Sequence, residues 1–428
     1  MEHQYKSPAH VRSRVAFHIQ CATEYLVSLV VADAFLAKLL KTMGLSDALI
    51  GIIASLISFA FLIQLATIFL LMRVQNVKKT VIWLDIASML SFMCTYFVPF
   101  VPGAQSIRTL LIFAAIGGGF MLKYLQKDLF YKWGHSFVQA ERRGVFTARN
   151  EAISLAAGLF FSLGIGWLID HFERQNQLET SFILIGVIIG ILTVVDLIML
   201  LVMKPYDTAA ALRQQKPLKD VLRNTLGNTN YRHVVLMLAL YDFGRYLTIG
   251  FLGTYKTQEL MLSVGAVQLI NIAANLSRCL LSRPFGKWSD RTSFAHVYRK
   301  GLLMAAFSFF LLCFTTPRTW WLIIAYTICY HVSMAGTGAN ANNMMFSYVP
   351  VDYFVQAQAI RSSITGFLGF SASLLGSRIL SMIQENGNTI LGIPVYGQQF
   401  LAILSLSILI IAIVVNKTIV DRQKIIIQ

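Results

Sequence analysis

The sequence predicts an all-α membrane protein of twelve transmembrane helices arranged as two pseudo-symmetric six-helix bundles. Three observations predict it. Apolar stretches recur about a dozen times, each close to the ~20 residues of helix that cross a hydrocarbon core about 30 Å thick. Lys and Arg gather in alternate loops between those stretches. A long polar segment falls near the middle of the chain. Of the 428 residues, 56% are hydrophobic and only 13% charged, and the mean hydropathy is +0.63. Soluble domains carry roughly 25% charged residues, so lipid rather than water is the solvent this composition suits.

The expected spans are 21–42, 46–72, 79–99, 106–128, 148–170, 181–203, 232–256, 263–282, 301–315, 320–345, 359–382 and 399–416. All should be helical, because backbone groups in lipid must be satisfied within the segment. The first twenty residues are polar and carry Lys6, Arg12 and Arg14. The apolar run after them is full length and lacks a small-residue cleavage site, so it reads as an uncleaved first span rather than a signal peptide. The fifth span carries Gly158, Gly164 and Gly166, small residues that let helix backbones approach closely. The ninth is short unless it continues from the loop before it. Trp320 and Trp321 open the tenth, where interfacial aromatic residues are expected.

The polar segment 204–231 contains Pro205, Pro217 and Gly227 and separates an N-terminal bundle, 1–203, from a C-terminal bundle, 232–428. A shift of 211 residues lays Glu141 on Asp352, Ala148 on Ala359, Ser154 on Thr365, Gly158 on Gly369 and Leu163 on Leu374. This faint self-similarity coincides with the central linker.

The net charge of +16 would suggest nucleic acid in a soluble protein. Here the basic residues follow the positive-inside rule. One side holds Arg73, Lys78 and Lys79, then Lys132, Arg142 and Arg143, then the basic residues of 204–232 and of 283–300, and finally Lys417, Arg422 and Lys424. The opposite loops hold chiefly Lys41, Arg174 and Arg318. Both termini are therefore expected in the cytoplasm. The five cysteines lie scattered through apolar segments with no CxxC pair, which indicates neither a disulfide frame nor a zinc site.

After the eighth span the chain reads Arg283-Pro-Phe-Gly-Lys-Trp-Ser-Asp-Arg291, closing on Arg299 and Lys300. This resembles the signature of the major facilitator superfamily (MFS), a G-x-x-x-D-R stretch followed by paired basic residues. Gly286 matches the glycine, Asp290 the acid, Arg291 the next base, and Arg299 with Lys300 the closing pair, at a spacing somewhat longer than usual. The twelve spans, the middle loop and the internal termini match the same family. The resemblance implies a secondary transporter whose first, fourth, seventh and tenth helices line a central path. It also implies a cytoplasmic gate. A glycine lets the chain turn as it leaves the helix, and an acid can meet a helix N-terminus. By the family's symmetry Asp290 should face the start of the fifth helix near Arg149. The corresponding first-half loop lacks glycine and aspartate. There a shift of 217 sets Arg73 opposite Asp290, which suggests a reversed pair, Arg73 with Asp352. No proline lies between Gly158 and Asp170, which leans away from the family's drug/proton exporters.

Ionisable residues at membrane depth face a cavity or a partner. On the four path-lining helices these are Asp33, with Glu24 and Lys38 nearer the ends; Lys123 and Tyr124, with Lys127 and Asp128 beyond; Asp242 and Arg245; and His331 with Asn340, Asn342 and Asn343. Asp242 and Arg245 share a helix face and could neutralise each other or meet substrate. Asp33 could answer Lys123 or Arg245. A carboxyl group in such a cavity suits proton uptake, with Asp33 the first candidate and Asp242 the second. Asp85 and Asp196 lie on helices outside the path and have no evident partner in sequence.

The expected function is therefore secondary active transport of a small polar organic solute by alternating access, coupled to protons. A multidrug or metabolite efflux antiporter of the same fold is the alternative. No nucleotide-binding G-x-x-x-x-G-K-[ST] is present, and no metal-binding histidine pair or compact catalytic motif points to an enzyme. No cofactor is expected. The expected partners are the solute, protons and the bilayer, for a monomer in the plasma membrane.

Overall fold

The computed structural model describes residues 7–66, 74, 76–139, 143–205, 218–350, 353–390 and 392–423. Helix α1 (Pro8–Val30) begins at Ser7, whose hydroxyl accepts the His10 N–H, with proline at the first turn, where its missing N–H costs nothing. It breaks before α2 (Asp33–Thr42), and the two meet at 45°. Asp33 sits at the break with φ +45°, a left-handed conformation that aspartate tolerates better than most residues. Then come α3 (Asp47–Ala54), capped by Ser46, and α4 (Leu56–Ala60). Helices α5 (Val77–Phe97), α6 (Gln105–His135), α7 (Arg143–Arg174) and α8 (Leu178–Val202) follow.

A short helix α9 (Leu218–Asn224) leads to α10 (Thr229–Ile249), which continues as a turn (Leu252–Thr254) and one π-helical turn (Tyr255–Glu259). Next are α11 (Val264–Arg291), α12 (Phe294–Cys313), α13 (Leu322–Phe346) and α14 (Phe354–Glu385). A two-residue hairpin, β1 (Thr389–Ile390) with β2 (Ile393–Pro394), precedes α15 (Gly397–Thr418).

Among the described residues eleven helical segments are long and apolar enough to cross a membrane, or twelve if the bent pair α1–α2 is one span. The chain is an integral, multi-pass membrane protein. Helix α12 starts at Phe294, ahead of the expected 301, because Ser293 accepts the His296 N–H and caps it in the preceding loop. The short ninth span thereby reaches 20 residues. Helices α6, α7 and α14 likewise outrun their apolar windows, since helix continues where side chains turn polar.

The chain forms two compact units. The first comprises Met1–Gly44 and Ile63–Gln215, the second Leu45–Leu62 and Lys216–Gln428. Residues 45–62 thus group with the second unit, whereas the linear division into bundles put them in the first. The reason is a seam along α14. Ser377 donates to the Ala48 carbonyl at 3.1 Å, and Gln384 to the Asp47 carboxylate at 2.9 Å.

In the first unit α8 packs on both α1 and α5, α5 on α6, and α1 on α7. An aromatic cluster of Phe17, Phe130, Trp133, Phe137 and Phe146 fills one end, with Phe17 stacked on Phe130 at 4.8 Å. In the second unit α12 packs on α13 and α15, and α10 on α14 and α15. Their shared core is rich in tyrosine: Tyr231, Tyr241, Tyr298, Tyr326 and Tyr330.

Candidate functional site

Each unit carries a buried ionic cluster. In the second unit Arg245 Nε donates to Asp242 Oδ1 at 2.7 Å, one turn apart on α10. Asp242 is 4% exposed. The guanidinium lies 4.5 Å from the centre of the Tyr246 ring and 5.4 Å from that of Tyr241, and Nη2 donates to the Tyr246 hydroxyl at 3.3 Å. Tyr330 on α13 is buried in the same core, its hydroxyl without a hydrogen-bond partner. Tyr298 of α12 meets Tyr241 edge-on at 6.2 Å, and Tyr326 stacks on Tyr330 at 5.9 Å.

A desolvated ion pair persists only where hydrogen bonds meet its remaining donors and acceptors. A planar guanidinium also gains from aromatic faces. The arrangement presents a fixed cation, its acid, tyrosine hydroxyls and flat rings. Such a surface can stack a planar ring or a sugar face and bond its hydroxyls.

His331 shares a 2.8 Å hydrogen bond with the Thr327 carbonyl through Nδ1. A carbonyl only accepts, so the proton of that bond sits on Nδ1. Asn340 is buried and donates Nδ2 to the Gly336 carbonyl at 2.8 Å, while its Oδ1 accepts nothing. Arg361 of α14 donates to Asn342 at 3.2 Å.

In the first unit Lys123 of α6 pairs with Glu24 of α1 at 2.9 Å. The acid that answers Lys123 is thus Glu24, not Asp33, and Arg245 is held by Asp242 on its own helix. Asp33 heads α2, half-buried beyond the break. Tyr124 is buried, with the Lys127 ammonium 4.8 Å above its ring. Lys38 of α2 pairs with Glu173 of α7. Asp85 and Asp196, left without partners by the sequence, have them here. Gln126 of α6 donates to Asp85 Oδ1 at 2.7 Å, and Thr23 of α1 donates to Asp196 Oδ1 at 2.9 Å.

Sequence reasoning missed the tyrosine cage, although Tyr241 and Tyr246 flank Asp242 and Arg245 directly. It gave no signal for the convergence on Asp85 and Asp196, which four separate helices assemble.

Residues 234–424 match the sequence model of the Major Facilitator Superfamily. That match covers 191 of the 428 residues, all of them in the second unit. No curated protein matches it in sequence. Among solved structures, a variant of the nucleoside transporter NupG is similar at TM-score 0.73 and 13% identity, over 95% of this chain and 99% of that one. A D-xylose-proton symporter is similar at TM-score 0.72 and 14% identity, over 97% and 99%. An auto-inhibited POT family peptide transporter is similar at 0.71 and 12%, over 98% of each chain. At such identities the likeness shows the fold alone.

The residues expected to form a gate fall as follows. Gly286 lies inside α11, which runs on to Arg291, so the chain turns at Thr292 and Ser293 rather than at the glycine. Asp290 and Arg291 are exposed in the last turn of α11, and Arg149 is exposed near the start of α7. Arg299 pairs with Asp421 in the turn that follows α15, and Ser293 donates to the same carboxylate at 3.2 Å. Arg73 and Asp352 lie outside the described residues.

Proposed function

We propose that the chain is a secondary transporter that moves a small polar organic solute by alternating access, with protons as the coupling ion. In this reading the halves 1–203 and 232–428 rock about a shared path, joined by the cytoplasmic linker 204–231. Both termini face the cytoplasm, and the protein works as a monomer in the plasma membrane. Asp290 with Arg149, and Arg73 with Asp352, serve as the cytoplasmic gate. Asp33, Lys123, Tyr124, Asp242, Arg245, His331 and Asn340 line the path.

The observation that carries the reading is the Asp242–Arg245 pair inside its tyrosine cage. Buried charge at membrane depth is costly and marks substrate and ion pathways. A guanidinium held by its own acid can exchange that acid for a substrate oxygen, at a cost the tyrosine hydroxyls offset. Flat rings beside it favour a solute with a planar ring or a sugar face over a greasy drug. Structures similar in fold include a nucleoside transporter and a D-xylose-proton symporter, which is compatible with that chemistry.

The test is uptake by purified protein in proteoliposomes. Radiolabelled uridine, D-xylose and a glycine dipeptide are offered with and without an inward proton gradient. Concentrative uptake of one solute, abolished by a protonophore and by Arg245→Ala, is expected. Accumulation of a chemically altered product would instead indicate an enzyme. Binding without flux would indicate a receptor.

A further inference from the structure

The first unit holds two carboxyl groups that the path-lining scheme does not use. Asp85 on α5 is 1% exposed and Asp196 on α8 is wholly buried. Their side chains face each other within hydrogen-bonding reach. One oxygen of each is satisfied: Oδ1 of Asp85 by Gln126 and Oδ1 of Asp196 by Thr23. The other oxygen of each, Oδ2, is buried and accepts nothing.

Titratable neighbours are few. Glu24 on α1 and Lys123 on α6 act on the pair, but they are committed to each other at 2.9 Å. The buried Cys21 thiol of α1 also lies close. Two adjacent carboxylates without a cation of their own repel each other in a low-dielectric core, which favours a proton shared between them. A single proton between the two orphaned oxygens removes the repulsion and satisfies both atoms at once.

A further side chain points the same way. Gln20 on α1 is wholly buried, its amide Nε2 and Oε1 make no hydrogen bond, and it lies within reach of Asp85. A buried amide left unbonded costs free energy. Here it is a donor in reserve, able to turn its N–H onto Asp85 when the proton leaves.

We propose that Asp85 and Asp196 bind one exchangeable proton between their Oδ2 atoms, making the core of the first unit a proton-binding site distinct from the Asp242–Arg245 cluster. Release leaves two carboxylates, with Gln20, Gln126 and Thr23 supplying neutral donors. Uptake restores the shared hydrogen bond. That this proton serves transport rests on the reading above; that the pair holds it does not.

The experiment is infrared spectroscopy of the protein in lipid bilayers at neutral pH, with isotope-labelled aspartate to identify the band. The wild-type protein should show the C=O stretch of a protonated aspartic acid, shifted after transfer to heavy water. Asp85→Asn and Asp196→Asn should each abolish it. Each amide supplies an N–H where the shared proton was, so both variants should keep the wild-type melting temperature.

A wild-type spectrum without the band overturns the proposal. If sodium chloride then raises the melting temperature and choline chloride does not, a monovalent cation occupies the site instead. A labelled band that never shifts in heavy water overturns the exchange, and one that survives in both variants places the proton on another aspartate. If uptake in the wild-type protein ignores a proton gradient, the proton-coupled reading fails while the infrared result stands or falls separately.

Discussion

The two buried clusters solve one problem in opposite ways. In the second unit the acid Asp242 has its cation one helical turn away, so the charge is closed locally and then wrapped in tyrosine. In the first unit Asp85 and Asp196 have only neutral donors, drawn from α1 and α6. Lys123, a cation that acts on Asp85, is already paired with Glu24. A closed pair has its charge answered within the helix. An acid pair without a cation needs a proton to be stable. The proposed division, solute recognition at one cluster and proton binding at the other, follows from that difference and can be broken by mutation.

The largest effect should come from opening the closed pair. Arg245→Ala leaves Asp242 charged and buried without a partner, a change that costs about 3–5 kcal/mol in buried ion pairs. It should lower the melting temperature sharply and abolish uptake. Replacing both members, as Asp242→Asn with Arg245→Gln, should recover much of the stability but not the uptake. If the double variant transports normally, the cage is structural and solute recognition lies elsewhere.

A smaller effect is expected at the acid pair. Thr23→Val keeps the side chain's shape but removes the hydrogen bond to Asp196 Oδ1, worth about 1.5–3 kcal/mol when the acceptor is charged and less when it is neutral. If the pair shares a proton, the loss should be greater at alkaline pH, where more of the negative charge rests on Asp196. Melting curves of wild-type and variant protein across pH provide the check. A pH-independent difference would mean that Asp196 keeps one protonation state throughout.

The same contrast explains what could be read from sequence. Spans were legible because lipid imposes length and apolarity on each helix separately. The closed pair was legible too, since Asp242 and Arg245 are three residues apart and helical geometry alone sets them on one face. Pairing between helices was not. Glu24 and Asp33 lie on the same span, and either could have answered Lys123. Nine residues are about two and a half turns of straight helix, so the two acids point to opposite sides, and the break before Asp33 changes the direction again. Which side faces α6 depends on how α1 is rotated by its packing on α7 and α8, and no local signal encodes that rotation. The grouping of 45–62 with the second unit was hidden for the same reason, because its cause is the seam with α14.

The smallest effect should be at Arg299 and Asp421, which repeat the arginine–carboxylate chemistry of the caged pair in a wetter place. Their side chains are 16% and 21% exposed, and Ser293 and His296 share the donors and acceptors. Water screens such a pair, so Asp421→Asn should cost no more than about 1 kcal/mol, and the loss should shrink in high salt. The two arginines are about equally exposed, at 16% for Arg299 and 20% for Arg245, so the contrast lies in the acids, 21% for Asp421 against 6% for Asp242. Salt titration of the melting temperature, run in parallel on Asp421→Asn and Asp242→Asn, measures that difference. A large, salt-insensitive loss at Asp421 would mean that the contact between the start of α12 and the turn after α15 is as tightly closed as the cage itself.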